Sequence, residues 1–281
     1  MLLALLIALI LMAVVMTTAW ATVVRTDNTG WIDVFWTFGT GVAGFIVAFS
    51  PWTWLSAAGS PDSRQILVAV LVAIWSIRLG SYIALRVARG DEDSRYVLLK
   101  KEWGPRFKSH LFGLAIVQAP ATTLLCASIA AAALRPLDGG LGLRDWLGAA
   151  ILVVAIVGEG VADNQMKAFR ADPANKGKLM DKGLWGLSRH PNYVFEWFGW
   201  VAYPVIAIDL SGAWPGSWPW GWASLIAPVV MYLILTRLTG VPPLEAAMLK
   251  SRGKAYEDYQ NRVGSFFPRP SRTPKSTGAR A

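Results

Sequence analysis

Seven stretches of this chain are apolar over a length that can cross a bilayer: 2–24, 31–57, 65–88, 111–134, 146–169, 193–212 and 219–239. About 20 helical residues cover the hydrocarbon thickness, and a chain inside it must satisfy its own backbone hydrogen bonds. The runs therefore predict an all-α membrane protein, a bundle of seven transmembrane helices. Composition agrees, with 54% hydrophobic residues, 16% charged residues and a mean hydropathy of +0.41, outside the soluble range. The first run lacks the basic start of a secretory signal and exceeds its usual apolar length, so it reads as helix one. Residues 1–268 read as a single domain. The tail 269–281, "RPSRTPKSTGARA", is basic and rich in Pro and Ser, and is expected to be disordered.

A formal net charge of +9 invites a nucleic-acid reading, but the cations are not spread as such a surface requires. Nineteen Lys and Arg fall in 89–110, 170–192 and 241–281, against Arg64, Arg135 and Arg144 in the alternate loops. Such asymmetry marks the cytosolic side, so the N-terminus is expected outside and the C-terminus in the cytosol. The expected surroundings are membrane lipid, not nucleic acid. The lone Cys126 excludes a disulfide framework and a cysteine metal site, while His110 and His190 stand far apart in no metal-binding spacing. Loops 89–110 and 170–192 are long enough to be structured, and function is expected between them and the C-terminal segment.

Two polar stripes lie inside the apolar runs. Arg78, Tyr82, Arg86 and Arg89 are spaced four, four and three, which places them on one helical face. An arginine near the centre of a span costs roughly 2.5–3.5 kcal/mol and is tolerated against a cavity or a partner. Snorkelling accounts for Arg86 and Arg89 but poorly for Arg78. In the fifth run Glu159, Asp163, Lys167 and Arg170 repeat the same spacing, with Asn164 alongside. An internal ladder of salt bridges explains this stripe in one reading; in the other it faces the first across a water-accessible cavity open to the cytosol. A cavity walled by Arg and Lys suits an anion, phosphate above all.

The turn "RHPNY" opens the sixth run. Pro191 can start a helix with His190 near its cap, so backbone amides and the helix dipole there favour an anion. Arg189 adds charge, Asn192 both donors and an acceptor, and Tyr193 a ring and a hydroxyl. Glu196, one turn further in, can pair with a cation or accept from a ligand.

The segments "RLGSYIALRVARGDEDSRY" (78–96), "WGPRF" (103–107), "DNQMKAFR" (163–170), "GLWGLSRHPNYVFEW" (183–197) and "SRGKAYEDYQNRVGSFFP" (251–268) together resemble the steroid 5α-reductase family, in a bacterial branch. The resemblance covers roughly 30–268. It implies a seven-helix reductase of the bacterial inner membrane, monomeric, that binds NADPH from the cytosol and reduces the carbon–carbon double bond of a 3-oxo-Δ4 steroid or similar apolar enone arriving from the bilayer. Carried over by match, cofactor contacts fall on Arg78, Tyr82, Arg86, Arg89, Asp163, Asn164, Lys167, Arg170, Arg189, His190, Asn192, Tyr193, Glu196, Arg252 and Tyr256.

Conjugate reduction builds negative charge on the carbonyl oxygen, so a donor must stand there. In the family a carboxylic acid and a tyrosine supply it. Here the acid is Asp33 and the tyrosine position falls on Trp75, which offers only an indole N–H; Asp33 also reads as a cap of helix two at the membrane edge. Trp36, Trp52, Trp54 and Trp75 can wall a flat apolar pocket or serve as interfacial anchors. Two other readings stay open. A membrane methyltransferase of the isoprenylcysteine or phospholipid kind, using S-adenosylmethionine, shares an "RHPxY"-like turn, and a non-enzymatic sterol or lipid binder shares the apolar bundle.

Overall fold

A computed structural model describes residues 1–51, 59–90, 94–137, 139–211 and 216–268. It is helical, with no strand among the described residues. The helices are α1 (Leu2–Thr26), α2 (Trp31–Ala48), α3 (Ser63–Ala88), α4 (Ser94–Trp103), α5 (Phe107–Ile116) and α6 (Gln118–Ala133). They continue as α7 (Leu143–Ala171), α8 (Pro191–Ala207), α9 (Trp220–Ala223), α10 (Ile226–Leu233), α11 (Val241–Arg252) and α12 (Lys254–Arg262). Residues 52–57 of the 31–57 run, with Trp52 and Trp54, lie outside the described residues, as does 269–281.

Among the described residues six helical stretches are long and apolar enough to cross a membrane: Leu2–Thr26, Trp31–Ala48, Ser63–Ala88, Leu99–Ala133, Leu143–Ala171 and Trp220–Arg252. The expected sixth run, 193–212, folds as α8, whose 17 residues reach about 26 Å at 1.5 Å per residue. The expected fourth run is divided between α5 and α6.

Local chemistry sets the ends of these helices. Asp62 caps α3, accepting from the amides of Arg64 at 2.8 Å and Gln65 at 2.9 Å, while Gln65 Oε1 accepts from the Asp62 amide at 3.1 Å, a complete capping box. Pro191 is the first residue of α8, where its missing N–H costs nothing. Between α10 and α11 the helix widens into a π-turn over Ile234–Leu238, and Gly240 closes it: a Cβ there would sit 2.3 Å from the Leu235 carbonyl oxygen.

α7 lies along α8 at close range. A Cβ on Gly148 would meet Ile206 at 2.3 Å and the Ala202 carbonyl oxygen at 2.9 Å, and one on Gly158 would meet Phe195 at 2.3 Å. Small residues of this kind let helices approach where lipid supplies no hydrophobic drive. One core gathers Val72, Trp75, Ile129, Leu152, Trp200 and Met231, and a second joins α1 to α2 and α5 through Met12, Met16, Ile32 and Leu111. Large apolar side chains such as Leu6, Ile77, Leu85, Val154 and Val157 point outward, as a lipid-facing surface requires.

At one end of the bundle Arg64 staples α3 to α7. Its Nε and Nη2 donate to Asp145 at 2.7 and 3.0 Å, and its Nη1 to the carbonyls of Arg135 and Pro136 at 2.6 and 2.8 Å. The basic loops meet at the opposite end, above a cavity.

Candidate functional site

The cavity has a volume of about 360 Å³. α2 contributes Asp33, Trp36 and Thr37; α3 contributes Leu79, Tyr82, Ile83 and Arg86; α7 contributes Glu159, Asp163, Met166 and Arg170. The turn before α8 adds Trp185 and His190, α8 adds Asn192, Tyr193 and Glu196, and Met231, Leu235 and Leu244 close the far wall. Eleven residues singled out from sequence therefore meet in one space, although they come from four separate segments.

The two polar stripes do face each other. Arg78 reaches across from α3 to α7, with Nη1 2.8 Å from Glu159 and Nη2 2.7 Å from Asp163, and its guanidinium lies 5.7 Å from the centre of the Tyr82 ring. Arg78 is thus neutralised by protein and stands behind the cavity lining. Arg86 and Arg170 reach the lining, but Arg89 is the exposed C-cap of α3, and Asn164 and Lys167 are exposed outside it. The stripe continues past the point where the cavity ends.

The "RHPNY" turn divides its residues between two jobs. Asn192 and Tyr193 face the cavity as expected. Arg189 does not: its Nε and Nη2 both lie 2.7 Å from Glu245 Oε1, and its Nη1 donates to the carbonyls of Gln260 and Val263. The expected anion ligand is instead a clasp that fastens the C-terminal segment to the turn. Glu245 also takes His190 Nε2 at 3.1 Å and Gln260 Nε2 at 2.9 Å. Because a carboxylate only accepts, Nε2 is the protonated ring nitrogen of His190. Burial pushes the imidazole below its ordinary range, against the upward pull of Glu245. Its ring stacks on Tyr193 at 5.5 Å.

Tyr256 is likewise structural, buried beside Tyr259 and Val263. Tyr259 donates its hydroxyl to the Trp185 carbonyl at 2.5 Å. Arg252 lies in a second cavity of about 420 Å³, where its Nη1 donates to Gly177 O at 2.7 Å. Lys176 and Lys178 also line that space, and Met166 and Arg170 line both cavities.

Trp75 is the second correction. It is 4% exposed and absent from the cavity wall. Its Nε1 donates to Glu196 Oε2 at 2.9 Å, and Trp200 Nε1 donates to Glu196 Oε1 at 2.9 Å. The indole N–H expected to face a substrate is spent on Glu196. Asp33 lines the cavity within the first turn of α2, and the Tyr96 hydroxyl donates to its Oδ1 at 3.4 Å. Trp36 lines it too, its Nε1 on Thr122 Oγ1 at 3.0 Å. Sequence reasoning passed over Glu245, Tyr96 and Gln118 as site-building residues. Glu245 is a single acid among apolar neighbours on α11, and nothing local tells that it lies under a turn 55 residues away.

A family described as "Protein of unknown function (DUF1295)" matches residues 19–263. The chain belongs to this family. Every element that lines the cavity lies wholly or almost wholly inside the matched DUF1295 region. The chain is also similar to the uncharacterized protein C594.04c of Schizosaccharomyces pombe, at 27% identity over 277 residues, covering 89% of this chain and 75% of the yeast protein. No solved structure matches.

Proposed function

We propose that this DUF1295 protein is an NADPH-dependent membrane reductase that saturates the carbon–carbon double bond of an apolar enone, with a 3-oxo-Δ4 steroid as the model substrate. The single observation that carries the reading is the pair of neighbouring cavities that share Met166 and Arg170 in their walls. One end has apolar walls and acids, the other is basic, and a dinucleotide has that polarity: an aromatic head and a phosphate-rich tail.

The residues present fit the cofactor. Arg86 and Arg170 suit the pyrophosphate, and Lys176, Lys178 and Arg252 suit a 2′-phosphate at the far end. Asn192 presents an amide to a carboxamide, and Tyr193, set by its stack on His190, offers a ring face. When bound, the nicotinamide supplies hydride. The chain must then hold the enone and place a donor where charge builds on its oxygen. Trp36, Leu79, Ile83, Met231 and Leu235 form an apolar wall for the substrate, and Asp33, held by Tyr96, is the donor at the carbonyl oxygen. In this reading α8 is the seventh span, the cavity opens to the cytosol of a bacterium, the substrate enters from the bilayer, and the protein works as a monomer.

A methyltransferase using S-adenosylmethionine is the second reading, and one observation favours it. Glu159, Asp163 and Glu196 crowd the inner end, where a sulfonium cation would be attracted. The basic second cavity has no use in that reading. Thermal unfolding of the detergent-purified protein separates the two. NADPH is expected to raise Tm and S-adenosylmethionine to leave it unchanged; a rise with S-adenosylmethionine alone sinks the reductase. Asp33→Asn is expected to keep the NADPH shift and lose turnover of a 3-oxo-Δ4 steroid.

A further inference from the structure

The acids at the inner end are not equivalent. Glu159 and Asp163 are each within 2.8 Å of a terminal nitrogen of Arg78, so they share its one positive charge inside the protein. Glu196 has no ion-pair partner among the described residues, although it is 7% exposed and lines the cavity. Arg78 acts on it electrostatically but spends both terminal nitrogens on the other two acids. What holds Glu196 is a pair of neutral donors, the indole N–H groups of Trp75 and Trp200, one on each carboxylate oxygen. Both oxygens accept.

The two indoles are themselves fixed. Trp75 packs edge-on against Trp200 at 5.3 Å and against Trp36 at 6.2 Å, and Trp75 and Trp200 both belong to the main core. The carboxylate therefore cannot swing away to meet a cation elsewhere. A fixed charge needs no reorganisation when an opposite charge forms beside it, and in a water-poor site it is worth more than in solvent.

We propose that Glu196 is the counter-ion for a positively charged ligand ring in this cavity, and that Trp75 and Trp200 are positioning residues that hold it there. The inference rests on the reductase reading. In that reaction a bound dihydronicotinamide would supply one hydride, with its electron pair, to the β-carbon of the enone, whose α-carbon would take up one proton, and the nicotinamide ring would carry a positive charge afterwards. Glu196 faces the charge that appears on the ring and so favours NADP⁺ over NADPH.

The test compares the affinities of the two nucleotides in purified protein, a readout independent of turnover. In Glu196→Gln, which keeps the shape and removes the charge, Kd for NADP⁺ is expected to rise about tenfold, with Kd for NADPH changed less than about twofold. Trp75→Phe and Trp200→Phe are expected to shift the ratio in the same direction by about threefold, and to have no further effect in a Glu196→Gln background. Equal weakening of both nucleotides, or an unchanged ratio, in Glu196→Gln overturns the counter-ion role and leaves the reductase reading standing. Additive effects in the double variants overturn the positioning role of the tryptophans. Wild-type protein that binds neither nucleotide removes the reductase reading and this inference with it. Should the tryptophan variants fail to fold, Glu196→Gln alone decides the counter-ion.

Discussion

Arg189 donates into Glu245 and two main-chain carbonyls, and this allocation sets what its loss should do. Removing one partner of a buried pair costs about 3–5 kcal/mol because the other charge is stranded. Glu245 is 15% exposed, so Arg189→Ala is expected near the lower figure, about 3 kcal/mol, read as a large fall in Tm without ligand. Asn192→Ala, at the cavity wall, is expected to leave that Tm unchanged and to weaken NADPH binding about tenfold, roughly the 1.4 kcal/mol of a lost hydrogen bond. A ligand-free Tm that falls equally in both variants contradicts this division. The residue types were legible in "RHPNY", but which of them faced the ligand was not. Arg189 and Asn192, three positions apart at a helix start, point in different directions, and only the position of α11 and α12 decides which of the two finds a carboxylate.

At the scale of elements, α3, α7 and α8 form the frame. Arg64 and Asp145 tie α3 to α7 at one end, and Arg78 with Glu159 and Asp163 ties them again within the bundle. The acids Asp145 and Asp163 are 18 positions apart, about 27 Å along α7, so the first tie lies far from the cavity. Arg64→Met is expected to lower Tm while leaving the nucleotide affinities of the folded protein unchanged, which a titration at low temperature would check. The α7–α8 seam is less tolerant. A Cβ on Gly148 would lie 2.9 Å from the Ala202 carbonyl oxygen, and backbone cannot step aside as a side-chain tip can. Gly148→Val is expected to prevent folding or to separate the helices, seen as lost monodispersity in detergent. The stripe spacing in sequence left both an internal ladder on α7 and a pair of facing stripes open, and the structure shows α3 and α7 linked across the stripes. The spacing could not tell that one arginine would serve two acids, because that depends on the closeness of approach.

For the whole molecule, the distribution of nineteen basic residues against three leads to the expectation that the basic loops share one side, and among the described residues α4 and α11, from two of those segments, do meet. The expected orientation, C-terminus in the cytosol, is tested by cysteine labelling in a Cys126→Ser background. Ser217→Cys is expected to react with a membrane-impermeant thiol reagent on intact cells, and Ser251→Cys only after permeabilisation; the reverse pattern inverts the topology. The sequence by itself determined that the chain is a helical membrane bundle with polar stripes at helical spacing, since apolar length and periodicity are local properties written along one strand of chain. Only the tertiary structure decided that Trp75 and Arg189 turn away from the cavity while Glu196 and His190 turn into it. Hydrogen-bond partners there come from segments 55 to 121 residues distant, and a buried polar group takes the direction of its partner.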